Sequence, residues 1–318
     1  MRPRNTSGVN ALIGVDKPVG MTSHDVVARV RRALGERGVG HAGTLDPLAS
    51  GVLVIGVGRA TRLLGMATAE DKCYLARFAF GAETTTDDEE GEVRREAPVS
   101  PEFFDRDWAM GQMRVLKGMT EQVPPAYSAV SVNGVRAYRA AREGHEMELA
   151  ARPCRVLDAQ VLFAGQDEDG TCVWDLVVHV SKGTYVRALA RDLGRALGGA
   201  CHVRALRRTA SGIVGVRQCV TPDALDRAVE QGVPLPLLDP LQVLDIPGLR
   251  VSDAEASSVR DGRRLRARGR ASSLEEGADV GLVYDGSLRA IARLQQDALV
   301  PRLVFPEGVA GVSDERQL

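Results

Sequence analysis

No apolar run in the 318-residue chain approaches the roughly 18 to 20 residues needed to cross a bilayer, and the opening Met1-Arg-Pro-Arg-Asn-Thr-Ser-Gly8 has no apolar stretch of the kind that directs secretion. A cytoplasmic protein with no membrane contact is expected. Paired cysteines are lacking too. Cys73, Cys154, Cys172, Cys201 and Cys219 are odd in number and scattered, and they form no Cys-x-x-Cys, so neither a disulfide framework nor a zinc site is indicated. The five histidines add no second pair at ligand spacing beside the adjacent Cys201-His202, and no metal is expected. The basic excess common in nucleic-acid binders is also missing, since the formal net charge is -1.

Three motifs that would point to other chemistry fail on inspection. Gly56-Val-Gly58-Arg-Ala-Thr61 follows an apolar strand, but Thr61 replaces the third glycine of a dinucleotide loop. Ser181-Lys-Gly-Thr184 holds the letters of a phosphate loop in the wrong order, and no Gly-x-Ser-x-Gly elbow marks a serine hydrolase.

What is present is an ordinary globular composition, 44% hydrophobic and 26% charged, with room for one large domain and a small one. Charge is unevenly spread. Acid gathers in Asp87-Asp-Glu-Glu-Gly-Glu92 and Asp167-Glu-Asp169, arginine at Arg204, Arg207, Arg208 and Arg217 and again from Arg260 to Arg270, so a neutral total can hide basic faces; solvated surface charge is the bland alternative.

Alternating or apolar runs predict strands at 11–15, 52–57, 74–80, 156–163 and 173–180. Ser23 reads as an N-cap before Val26, Val27, Val30 and Leu34, with Gly35 as the stop; Thr184 stands likewise before Ala188, Leu189, Leu193 and Leu197, with Gly198 after them. Further helices are expected over about 101–117 and 222–230. Strand runs broken by a few helices favour an α+β domain. Residues 244–250 read as a linker, the next 60 or so as a small β module with pieces at 281–284, 288–294 and 303–305, and the stretch from Gly308 as frayed. No solenoid repeat or low-complexity tract is visible.

Two segments could carry chemistry. In His41-Ala-Gly-Thr-Leu-Asp-Pro-Leu-Ala-Ser-Gly51, Asp46 sits between a glycine-containing turn and a proline, so the loop could present one carboxylate rigidly. Taken alone, an Asp-Pro is more often an ordinary turn residue. In Val180-Ser-Lys-Gly-Thr-Tyr-Val-Arg-Ala-Leu-Ala-Arg-Asp-Leu-Gly194, a strand runs into a helix whose first turn holds Tyr185 and Arg187, where free N–H groups favour an anion. A capped amphipathic helix with core Tyr185 and surface Arg187 explains the same letters.

These segments, with Asp16-Lys-Pro-Val-Gly-Met-Thr-Ser23, Lys72-Cys-Tyr74, Gln122-Val-Pro-Pro-Ala-Tyr-Ser128, Leu206-Arg-Arg-Thr209 and Gly81-x-x-Thr84-x-Thr86-x-Asp88-x-x-Gly91, closely resemble the TruB family of bacterial tRNA pseudouridine synthases, in the same order across about the first 220 residues. Ser131, where the family favours lysine, is one departure. The resemblance implies a pseudouridine-synthase fold: α+β, with a mixed, largely antiparallel central sheet flanked by helices and a small C-terminal β-rich PUA-like domain. It divides the chain into a catalytic domain over 1–246, an RNA-binding domain over 247–310 and a flexible tail over 311–318.

The implied activity is isomerisation of uridine 55 in the tRNA T-loop. Breaking C1′–N1, turning the base and rejoining it through C5 only rearranges atoms, so no cofactor is needed. By the resemblance Asp46 is the catalytic carboxylate, as nucleophile or as base, and Arg187 its counter-charge; Tyr74 stacks on the base and is a candidate for taking up the C5 proton. Tyr185 and Leu206 form the pocket wall, and His41 fills the space the flipped nucleotides vacate. Lys17, Lys182 and Lys72 are phosphate or structural partners. A monomer acting on the tRNA T-arm without an obligatory protein partner is expected. The alternatives are a non-catalytic RNA-binding or RNA-folding module, a role that could also accompany catalysis, a synthase for another RNA with protein partners, and a nucleoside hydrolase, which would need a metal or a second carboxylate near Asp46.

Overall fold

A computed structural model describes residues 7–313 apart from 69, 133 and 146, with only the backbone of Arg270. The chain divides into two compact units, one drawn from Met1–Asp46, Gly51–Ala69 and Ser211–Leu318, the other from Pro47–Ser50 and Glu70–Ala210. Strand pairing is mixed and predominantly antiparallel, with helices packed on the strands, so the class is α+β.

In the first unit the apolar strand Ala11–Lys17 is buried almost throughout. It pairs antiparallel with Gly51–Val57 and, beyond that, parallel with Cys219–Val220 and antiparallel with Leu237–Leu238. Helix Ser23–Leu34 lays Val26, Val27 and Val30 against Ile13, Val15, Leu53 and Ile55, because residues three and four apart share a helix face.

The cap of that helix is Thr22 and not Ser23. Thr22 Oγ1 accepts from Asp25 N (3.0 Å) while Asp25 accepts from Thr22 N (2.9 Å), a reciprocal capping box, and Gly35 closes the helix at φ 61°. Ser23 is displaced because its hydroxyl is committed elsewhere: it donates to Leu45 O (2.9 Å) and accepts from Leu45 N (2.8 Å).

The C-terminal part of this unit is a five-stranded sheet in the order Gly248–Arg250, Asp279–Tyr284, Ser287–Gln295, Ala298–Val309, Leu265–Arg266. Its strands supply Ile291, Phe305 and Val309 to a core shared with Leu12, Val54 and Leu63. Two expectations fail here. Residues 244–250 are no loose linker, since Leu244, Ile246 and Leu249 are buried and Gly248–Arg250 pairs parallel with Gly281–Val283. The chain is also ordered past Gly308: Ala310 N donates to Asn10 O (2.9 Å), and Ser313 bonds Asp239 through both its N and its hydroxyl, at 2.7 and 2.6 Å. Of the expected tail, 314–318 lie outside the described residues.

In the second unit the strands lie in the order Val156–Gln166, Cys172–Val180, Lys72–Phe80, Cys201–Ser211. Alternation along Lys72–Phe80 turns Lys72, Tyr74, Ala76 and Phe78 to one buried face. Aromatic side chains make up only 4% of the sequence, yet Phe80, Phe103, Trp108 and Trp174 meet in one cluster, and Trp174 Nε1 donates to Phe103 O at 2.7 Å. The helix expected over 101–117 is broken into a 3-10 turn Pro101–Phe104 and a helix Arg106–Lys117, because Asp105 turns extended and caps the second piece through Trp108 N (2.7 Å).

Helix Val186–Ala196 begins after Tyr185, and Thr184 does not cap it. The Thr184 hydroxyl faces that of Ser181 (3.2 Å), while the Gln122 side chain holds Tyr185 from outside, accepting from its N at 2.6 Å and donating to its O at 3.3 Å.

The two neighbouring hydroxyls at the first helix should behave differently. Thr22→Ala loses a cap at a cost of about 1 kcal/mol, read as a lower denaturant midpoint. Ser23→Ala leaves both polar groups of Leu45 unsatisfied, at about 1 to 3 kcal/mol, and should additionally speed hydrogen exchange at the Leu45 amide. Equal exchange in both variants would contradict the anchoring role.

Candidate active site

The Asp46 loop lies in the first unit and at its border. Strand Val39–Ala42 pairs antiparallel with Val54–Val57, so residues 43–48 form the connection of a hairpin. Gly43 opens it at φ 74°. Leu45 is buried and held at both backbone groups by Ser23, and Pro47 fixes the backbone on the other side, so half-buried Asp46 stands between two immobilised neighbours. His41, on the hairpin strand, sets its ring edge-on to His24 with centroids 5.6 Å apart.

Lys17 is fully buried at the end of its strand, and Nζ donates to Pro18 O (2.9 Å) and Met21 O (2.6 Å). The ammonium thereby closes the turn that leads into helix Ser23–Leu34.

In the second unit Arg187 is buried, not on the surface. Its guanidinium donates to Thr86 O (2.7 Å) and Tyr127 O (2.8 Å) and stands 3.4 Å from Asp88 Oδ2. The motif from Gly81 to Gly91 builds this contact. Thr84 Oγ1 donates to Asp88 O (2.6 Å) and Thr86 Oγ1 to Asp88 Oδ1 (2.5 Å), while a side chain at Gly91 would collide with Thr86. Asp88, a letter of the family motif with no role assigned to it from sequence, is the centre of this loop. The missed signal is an aspartate with threonines two and four residues before it and glycine three after, a pattern that bends the chain back around one carboxylate.

Tyr74 is buried on its strand, and Leu206 is buried on Cys201–Ser211. Tyr185 is half-buried and packs on the small cluster of Val130, Ala137 and Leu149. Lys182 is exposed. Lys72, on the same strand face as Tyr74, is buried, and its ammonium donates to Glu70 O. Burial, reinforced by the nearby Arg208 guanidinium, pushes its pKa down to about 8.

The profile of the TruB family pseudouridylate synthase N-terminal domain matches residues 31–186, and that of the tRNA pseudouridylate synthase B C-terminal domain matches 187–240. A tRNA pseudouridine synthase B of Mycobacterium sp. (strain KMS) is 45% identical over 283 residues, covering 87% of this chain and 93% of its own, and one of Nocardia farcinica is 44% identical over 311 residues, covering 98% and 97%. The chain belongs to the TruB family.

Among solved structures, a Cbf5-Nop10-Gar1 complex aligns at a TM-score of 0.68 with 25% identity, over 96% of this chain and 88% of that one, and an archaeal box H/ACA sRNP Nop10-Cbf5 complex at 0.63 with 23%, over 93% and 86%. The pseudouridine-synthase fold of the TruB family is therefore the fold of this chain. His41, Asp46, Tyr74 and Tyr185 fall within the first TruB profile, Arg187 and Leu206 within the second, and Lys17 precedes both.

The depressed pKa of Lys72 has a signed consequence. Between about pH 8 and its ordinary 10.5 the unfolded chain holds a proton on Lys72 that the folded chain has released, so this residue's contribution to stability rises with pH through that window and its full penalty applies below it. Urea midpoints measured from pH 7 to 10 should climb less steeply in Lys72→Met than in the unsubstituted protein. Identical slopes would mean that Lys72 titrates normally.

Proposed function

We propose that the protein isomerises uridine 55 in the T-loop of tRNA to pseudouridine, with Asp46 as the catalytic carboxylate. The observation that carries this reading is similarity to enzymes named tRNA pseudouridine synthase B over nearly the whole chain, 98% of it for the Nocardia farcinica relative. The solved Cbf5 complexes share the fold at much lower identity, which favours tRNA over another RNA as substrate.

Chemically, the reaction needs a positioned anion at the sugar, a cation to keep it charged, and a wall that retains the detached base. Asp46 supplies the anion from its pinned loop. Arg187, already held by Asp88 and two carbonyls, supplies a cation that does not have to be ordered during the reaction. Tyr74 stacks on the uracil and receives the C5 proton, Tyr185 and Leu206 close the pocket, and His41 occupies the space left by the extruded nucleotides. Stacking of this kind contributes about 1 to 3 kcal/mol per base, which offsets the few kcal/mol needed to flip it. Lys182, exposed on its loop, contacts a phosphate.

Residues 247–310 act as a PUA-like RNA-binding domain and residues 1–246 as the catalytic domain. Exposed Arg260, Arg263, Arg264 and Arg266 give it a basic surface for the RNA backbone. The protein works in the cytoplasm as a monomer, without an obligatory partner or cofactor.

Unmodified tRNA carrying tritium at uridine C5 provides the test. Wild type should release tritium to water without added nucleotide or metal, and Asp46→Asn should bind the tRNA with similar affinity yet release none, because the amide keeps the shape and loses the charge. Release by a clean Asp46→Asn preparation would remove Asp46 from the chemistry, and a wild type inactive on every tRNA would refute the function.

A further inference from the structure

Arg191 stands one turn after Arg187 on helix Val186–Ala196, so the two guanidiniums leave the same face. Arg191 Nη1 meets Asp87 Oδ2 at 2.7 Å, Nη2 donates to Val123 O at 2.8 Å, and Nε to Asp192 Oδ1 at 2.8 Å. Its partners are the chain neighbours of the partners of Arg187. Asp87 lies between Thr86 and Asp88, and Val123 is in the same Val-Pro-Pro-Ala-Tyr stretch as Tyr127. Two parallel rungs therefore tie one helix to the same two loops.

The outer rung is an odd choice for stability alone. The side chains of Arg191 and Asp87 are only 9% and 7% exposed, and burial pushes the Asp87 carboxyl above its ordinary value even with Arg191 beside it. A buried ion pair of this kind is frequently no more stable than an apolar replacement. Asp87 also takes the left-handed backbone at φ 60°, which few side chains adopt, and is pinned there as its carbonyl accepts from Val203 N (3.1 Å). Strain and desolvation are both concentrated one residue before the carboxylate that faces Arg187.

We propose that Arg191 and Asp87 are positioning residues for Arg187: they fix the 84–91 and 123–127 loops, and those loops aim the Arg187 guanidinium. The assignment rests on the reading of Arg187 as the cation of a pseudouridine synthase. Asp87 and Arg191 themselves touch neither substrate nor reacting atoms.

A double-mutant cycle on tritium release from uridine-C5-labelled tRNA tests it, with Asp87→Asn and Arg191→Lys each made alone and in combination with Arg187→Lys, all assayed well below their melting temperatures. Each outer variant should lower kcat about tenfold while leaving KM within about twofold, the signature of a misplaced group and not of weaker binding. In combination with Arg187→Lys, neither should reduce kcat further, because a residue acting through Arg187 has nothing left to act on. Wild-type kcat in folded outer variants, losses that add to that of Arg187→Lys, or failure of both outer variants to fold would overturn the assignment in favour of a purely structural pair. A wild type without turnover would remove the functional reading and this assignment with it, whereas an active wild type with additive variants would remove this assignment alone.

Discussion

The structure around the candidate site depends on arginines that are buried and fully engaged. Arg187 alone reaches Thr86 O, Tyr127 O and Asp88, and in doing so joins a helix to two loops that the chain otherwise leaves far apart. A guanidinium suits this task because its planar fork holds several acceptors at fixed angles and keeps its charge when desolvated. The fold has already met the cost of burying that charge, so the guanidinium is held in one place by the protein itself.

The Asp46 loop is fixed by other means. A single hydroxyl, Ser23 Oγ, gives and takes a hydrogen bond at the two backbone groups of Leu45, and Gly43 and Pro47 shape the chain on either side of it. The difference is physically sensible. A hydroxyl both donates and accepts, so one side chain satisfies the two backbone groups of Leu45 together.

Much of this was legible in the sequence, and the reasons for the rest are specific. Periodicity located the strands beginning near Ala11, Val52, Tyr74, Val156 and Val173 because each alternates or is wholly apolar, a pattern that depends on the residues themselves. The caps differ from expectation at Ser23 and Thr184 because a cap depends on which hydroxyl is spared from other bonds: that of Ser23 is taken by Leu45, 22 residues away, and that of Thr184 faces Ser181. The segment 244–250 looked like a linker because its proline and glycine are local signals, whereas its burial comes from strands at either end of the chain. For the site, family motifs led to Asp46, Tyr74 and Arg187. The contact of Asp88 with Arg187 is not legible in the letters, since it forms only when the loop folds back on itself.

The acidic runs invite a similar argument about charge. Read as composition, Asp87-Asp-Glu-Glu and Asp167-Glu-Asp cancel the arginines and make nucleic acid an unpromising partner. In the fold these acids are internal counter-ions: Asp87 and Asp88 for Arg191 and Arg187, Asp167 and Asp169 for Arg204, with Glu83 between Arg95 and Arg195. Arg260, Arg263, Arg264 and Arg266 are exposed and, among the described residues, carry no ion pair. Exposed pairs contribute little net energy, but a carboxylate bound to one arginine no longer screens another at a distance beyond about 10 Å. A near-zero total is therefore compatible with a surface that attracts a phosphate backbone, because acid and base are spent in different places.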